Sequence, residues 1–188
     1  MKKYWEIVEA GEYEKYGKKL MLIFLKRPHL FHRKNSFWNP VKPSSRNEIF
    51  EIIPEFNELE KLYGEIKEMA LLFLEDDTST LHIDHTSGLN EGVKARLNVP
   101  VLNCGESVTC FYELDEQTFN THMTTPGGTK YWSEELRRKL IPVTQVALKQ
   151  PTILRTSEPH TVFCNGKNFP RVSLTISFRE DLIKYLAT

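Results

Sequence analysis

A mainly β fold with flanking helices follows from three features of the 188-residue sequence. Seven short runs rich in β-branched and aromatic residues span Thr80 to His85, Ala95 to Asn103, Ser107 to Glu113, Ile141 to Leu148, Thr152 to Arg155, His160 to Cys164 and Arg171 to Phe178. They are separated by Gly, Pro, Asn and Asp, the spacing of a sandwich or barrel. The last run alternates without a break, with Arg171, Ser173, Thr175 and Ser177 on one face and Val172, Leu174, Ile176 and Phe178 on the other. Ahead of these runs, Phe56, Leu59, Leu62, Tyr63, Ile66, Met69, Ala70 and Phe73 recur at three- and four-residue steps. That spacing predicts an amphipathic helix over 55–75 that buttresses the sheet, with Pro54 suited to its first turn.

Taken in order, residues 1–19 predict a short strand or hairpin, and the contiguous apolar run Leu20 to Leu25 predicts a buried strand. Residues 26–45 are basic, with aromatics and prolines interleaved, and predict a long exposed loop. Between Asp115 and Tyr131 lies a polar connection long enough to be functional or mobile. Ser133 to Lys139, acidic at its start and basic at its end, predicts a short helix. The length suits a single domain over 1–188, with a β core over about 78–180 and strands, loop and supporting helix over 1–77.

The 25 Lys and Arg balance the 25 Asp and Glu, so no whole-molecule field draws the chain to nucleic acid. Cys104, Cys110 and Cys164 have no metal-finger spacing and read as free, buried thiols of a reducing compartment. The charged N-terminus and the lack of an eighteen-residue apolar run predict a soluble, intracellular, cytoplasmic protein without a membrane span.

The chemistry gathers at Thr80-Leu81-His82-Ile83-Asp84-His85. On a strand, His82 and Asp84 share a face while Leu81, Ile83 and His85 share the other. An imidazole and a carboxylate so placed are two ligands of a 2-His-1-carboxylate iron site, which leaves the remaining metal positions open. His160, heading its strand after Pro159, is the candidate third ligand. His85 and His122 are rivals: the first faces away from Asp84, and the second sits in the polar connection. Eleven residues after His160 the final strand opens with Arg171. Its polar face is either half exposed to solvent or the wall of a pocket where the planar Arg171 fork and the Ser173 hydroxyl grip a carboxylate.

His82-x-Asp84, then His160, then Arg171-x-Ser173 resembles the iron(II) and 2-oxoglutarate-dependent oxygenases, over about residues 78–180. The resemblance implies a double-stranded β-helix, or jelly roll, braced by N-terminal helices. It implies Fe(II) on His82, Asp84 and His160, and 2-oxoglutarate held at its far carboxylate by Arg171 and Ser173. The run Arg96 to Asn103 is similar to that of aspartyl/asparaginyl β-hydroxylase-like and phage-encoded members, which adds Asn98, Tyr112 and Arg96 as candidates for the keto-acid end. The implied activity consumes molecular oxygen, releases succinate and carbon dioxide, and hydroxylates a small-molecule or amino-acid or peptide substrate. His122 and Thr125 are candidate residues of a lid over that substrate. Rival readings are a jelly-roll binding or structural protein without turnover, and a cupin-like metalloenzyme using no keto acid.

Overall fold

Two antiparallel sheets of six strands each lie face to face in the computed structural model of the protein. The structure describes residues 2–32, 37–75, 79–84, 93–125, 128–164 and 170–186. In chain order the elements begin with β1 (Trp5–Ile7), α1 (Tyr13–Lys26), β2 (Trp38–Pro40), α2 (Arg46–Ile52), α3 (Glu55–Tyr63), β3 (Ile66–Leu74), β4 (His82–Ile83) and β5 (Arg96–Leu102). Then follow β6 (Ser107–Phe111), α4 (Glu116–Phe119), β7 (Met123–Thr124), β8 (Lys130–Tyr131), α5 (Glu134–Lys139), β9 (Thr144–Ala147), β10 (Thr152–Leu154), β11 (His160–Cys164) and β12 (Arg171–Phe178). The major sheet runs β1-β10-β5-β12-β3-β2 and the minor sheet β7-β8-β4-β11-β6-β9. This is the double-stranded β-helix with helices against it. Among the described residues, no helix is long and apolar enough to cross a membrane.

The main apolar core lies outside the sandwich, between the major sheet and the helices. Val172, Leu174, Ile176 and Phe178 of β12 join Leu97, Val99 and Val101 of β5 and Ile153 of β10 in one cluster with Tyr16, Leu20, Ile23, Ile49, Phe56 and Leu59 of the helices. Because side chains alternate along a strand, the other face of β12 looks inward at the minor sheet. All eight residues of β12 are buried, so its polar face is an interior wall rather than a solvated surface. A second cluster, with Leu81, Ile83, Cys110, Tyr112 and Trp132, covers the outer face of the minor sheet beneath α4 and α5. The interior is closed at the β1 and β9 edge by Tyr4, Phe111, Val146 and Leu154, where the Trp5 indole N–H reaches the Thr144 hydroxyl at 3.5 Å.

Two stretches depart from the sequence expectation. Leu20 to Leu25 is the second half of helix α1, not a strand. Leu20 and Ile23 are buried whereas Leu22 and Leu25 are exposed, which is helical spacing hidden in a contiguous run. Gly17 lets this helix lie against β5, since a Cβ there would sit 3.1 Å from the Val101 side chain. The predicted 55–75 helix stops at Tyr63, where Gly64 takes a φ of 90°, a left-handed conformation suited to glycine. Beyond it β3 is a strand, buried on both sides at Met69, Ala70 and Leu71. A strand apolar on both faces loses its two-residue rhythm, and its residues then mimic the helical repeat. The 26–45 stretch contains two single-turn 3-10 helices, Pro28–Leu30 and Pro43–Ser45, as well as β2, and the 115–131 connection contains α4, β7 and β8.

Candidate metal centre

One row of residues crosses the inner face of the minor sheet. Cross-strand pairing aligns Met123 with Tyr131, Tyr131 with His82, His82 with His160, His160 with Phe111, and Phe111 with Thr144. Directly opposed residues point to the same side of a sheet, so the two histidines share the interior with Tyr131 and Met123. Their ring centroids are 4.3 Å apart, and Phe111 lies 5.8 Å from His160 on the closed side. Just past β4, the Asp84 amide donates to the Thr156 carbonyl at 3.1 Å, which turns the carboxylate toward the imidazoles.

His82, Asp84 and His160 thereby present ligand atoms that all lie within 4.8 Å of one another. Asp84 Oδ1 is 3.4 Å from His82 Nε2 and 3.7 Å from His160 Nε2. Each histidine ties Nδ1 to a backbone carbonyl two residues upstream, His82 to Thr80 at 2.6 Å and His160 to Glu158 at 2.8 Å. With Nδ1 donating its proton there, Nε2 carries the free lone pair toward the centre, the orientation a metal-ligating histidine requires. Burial, and then the neighbouring His82, push the His160 pKa down to about 4. Burial also opposes a charge on His82, but its hydrogen bond and charge interaction with Asp84 outweigh that and raise its pKa. Burial alone would raise the Asp84 pKa; contact with His82, His160 and Arg96 instead holds it far below the carboxylate range. Two neutral-capable imidazoles and a permanent carboxylate suit a divalent ion of the first transition row.

Arg171 lies deeper in the same interior. Its guanidinium donates from Nε to Ser107 Oγ across the sandwich at 2.9 Å and from Nη1 to Ser173 Oγ at 3.2 Å. It is 5% exposed, and among the described residues no carboxylate lies within ion-pair distance of it. A buried cation served only by hydroxyls is costly, and an anionic ligand removes that cost. Ser107 stands four residues before Phe111 on β6, so the clamp and the histidine row are separated by about 13 Å along the strand. Between them on the inner face of the major sheet lie Thr175, level with Asn98, and Ser177. The Thr175 and Ser177 hydroxyls are buried without a hydrogen-bond partner among the described residues.

The other sequence candidates divide by face. Asn98 is 6% exposed and faces this interior, its amide donating to the Arg96 carbonyl at 3.4 Å. Arg96, at 2% exposure, is also interior, with Nε 3.4 Å from Asp84 Oδ2, Nη1 3.3 Å from Glu68 Oε2 and its guanidinium carbon 5.5 Å from the centre of the Trp38 ring. Tyr112 is not brought to the centre: it follows Phe111 and so packs with Cys110 and Trp132 on the outer face, where burial pushes its pKa up to about 12. His122 is turned outward as well, its Nδ1 bonded to the Phe119 carbonyl at 2.9 Å and its ring packed against Phe119 and Trp132. Thr125 shapes the turn between β7 and β8, accepting at Oγ1 from the Thr129 amide at 3.1 Å. His85, part of the expected 80–85 strand and a rival ligand, lies outside the described residues, as do Pro126 and Gly127 of the expected lid. Sequence reasoning missed Ser107, Glu68, Trp38, Met123 and Tyr131. The last two carry a signal only when register is known.

Fold and site together define a jelly-roll protein with a two-histidine, one-carboxylate centre. No family model matches the chain, and no curated protein matches its sequence. Among solved structures it is similar to the non-haem alpha ketoglutarate dependent epimerase SnoN from nogalamycin biosynthesis. The TM-score is 0.54 at 14% identity, over 100% of this chain and 83% of that one. A structure of SnoN in complex with Fe3+, alpha ketoglutarate and nogalamycin RO gives a TM-score of 0.52 at 13% identity, over 100% and 86%. At these identities the likeness is one of fold.

Proposed function

We propose that this protein is an Fe(II)/2-oxoglutarate-dependent oxygenase that hydroxylates a C–H bond of a small-molecule or amino-acid or peptide substrate. The observation that carries the reading is a centre of two imidazole nitrogens and a carboxylate oxygen within 4.8 Å sharing its interior with a buried guanidinium that, among the described residues, has no carboxylate partner. The first fits a divalent iron, and the second fits the far carboxylate of a keto diacid. Iron(II) and 2-oxoglutarate, when bound, supply the oxidising power, with O2, 2-oxoglutarate and a C–H bond converted to succinate, carbon dioxide and C–OH.

His82 and His160 hold the metal through Nε2 and Asp84 through Oδ1. Arg171 and Ser173 bind the far carboxylate, each charge-assisted hydrogen bond contributing about 1.5–3 kcal/mol. Asn98 and the Thr175 hydroxyl, which has no hydrogen-bond partner among the described residues, lie level with each other on the inner face and would line the space that the keto acid takes. Phe111 and the apolar edge around it keep bulk water from the closed side. On the other side of His82, Tyr131 and the half-exposed Met123 meet the substrate and set which C–H bond is presented, since placement decides the reacting bond.

The test is succinate formation. Protein given Fe(II), 2-oxoglutarate and air is expected to form succinate in step with O2 use, faster when the right substrate is present. His160→Ala is expected to form none. Failure of the iron-loaded protein to form succinate with or without a broad metabolite panel would overturn the reading.

A further inference from the structure

Asp84 offers its two oxygens to different partners. Oδ1 faces both imidazoles at 3.4 and 3.7 Å, whereas Oδ2 faces Arg96 Nε at 3.4 Å. Arg96 is in turn fixed by Glu68 at 3.3 Å and by the Trp38 ring at 5.5 Å. At 2% exposure this guanidinium is shut off from solvent, and its contacts bring two carboxylates to one cation.

We propose that Arg96 is a positioning residue that confines Asp84 to one-oxygen ligation and keeps Glu68 from the metal, so that positions remain open for exchangeable ligands. The inference rests on the metal-centre reading above. Its physical reason is competition: a carboxylate binds a divalent ion through one or both oxygens, and a second nearby carboxylate adds further donors. A guanidinium ion-paired with Asp84 Oδ2 and hydrogen-bonded to Glu68 Oε2 competes with the metal for those oxygens, by charge at the first and by an N–H donor at the second. Removing Arg96 therefore does not starve the site of donors; it floods it.

The test uses Co(II) as the probe, anaerobically, on the full chain. Unmodified protein, with water on the positions its residues leave open, is expected to show weak d–d absorption that changes clearly on addition of 2-oxoglutarate as the keto acid displaces that water. Arg96→Met is expected to hold Co(II) at least as tightly, because a nearby positive charge is gone, yet with d–d absorption that changes far less on addition of 2-oxoglutarate, since carboxylate oxygens now fill those positions. Its 2-oxoglutarate affinity is expected to fall about 10- to 100-fold, as when a ligand's supporting partner is lost. The charge-neutral pair Arg96→Met with Glu68→Gln guards against misfolding, and is expected to keep the blunted response to 2-oxoglutarate because Asp84 Oδ2 is still released. Glu68→Gln alone is expected to resemble the unmodified protein. A full spectral response to 2-oxoglutarate in both Arg96 variants, or a loss of Co(II) affinity in the folded double variant, would overturn the inference. Failure of the unmodified protein to bind Co(II) would instead overturn the metal centre itself.

Discussion

Arg171→Met separates the anion clamp from the metal centre. The substitution removes the hydrogen bonds to Ser107 at 2.9 Å and Ser173 at 3.2 Å, but it also removes a buried cation that has no carboxylate partner among the described residues, and an apolar stem of similar length stays in place. The ligand-free protein is therefore expected to lose little or no stability. Binding of 2-oxoglutarate changes sharply. Two charge-assisted bonds at about 1.5 kcal/mol each, the low end of their range, sum to about 3 kcal/mol, or a roughly 100-fold loss of affinity.

Thermal melting reads this directly. At a free concentration about 100 times the dissociation constant a ligand stabilises by about 2.7 kcal/mol. A chain of this size gains about 2–4 °C per kcal/mol, so 2-oxoglutarate at that excess raises the melting temperature of the metal-loaded protein by roughly 5–10 °C. Arg171→Met at the same concentration is expected to show almost none of that rise, while its rise on metal binding alone is kept. A full 2-oxoglutarate shift in the variant would refute the clamp. Joint loss of both shifts would mean that Arg171 supports the fold rather than the ligand.

Four further outcomes are expected. His160→Ala removes one of two imidazoles and is expected to abolish iron binding in equilibrium dialysis while circular dichroism stays that of the folded chain. Metal loading is expected to weaken as pH falls, because His82, with a pKa raised above 6.5 by Asp84, must give up its proton to the ion; calorimetry in buffers of differing ionisation enthalpy counts that proton. Without metal the two histidines act in opposite directions on stability. The His82 contribution is full below 6.5 and is lost as pH rises through its raised value. His160, depressed to about 4, destabilises the fold as pH falls from 6.5 toward 4, because the unfolded chain takes up the proton first. Tyr131→Ala is expected to raise the KM of the substrate several-fold, the size of one aromatic contact of about 0.5–1.5 kcal/mol, with 2-oxoglutarate binding unchanged.

The residues that gather in the interior were legible because their pattern is local. His82 and Asp84 two apart, and Arg171 and Ser173 two apart, fix a shared face as soon as each stretch is extended. Tyr112 was not legible in this way. Cys110, Phe111 and Tyr112 are all buried, since helices cover the outer face of the minor sheet, and no polar alternation tells inside from outside. The place of Arg96 was hidden for a related reason: the apolar side of β5 packs outward on helices, so the sandwich interior is the polar side. The 66–74 strand and the 20–25 half-helix share that origin, since tertiary cover on both faces erases the period from which an element is read. His122 and Thr125 show the limit for a hairpin, where a shift of one residue exchanges faces. Met123, not its neighbour His122, stands in line with His82.

The most direct measurement is anaerobic titration of 2-oxoglutarate into the Fe(II)-loaded protein, followed by visible absorption. A metal-to-ligand charge-transfer band is expected that saturates at one keto acid per iron and is lost in His160→Ala. Iron bound without that band at saturating 2-oxoglutarate, or no iron bound by the folded chain, would contradict the oxygenase reading.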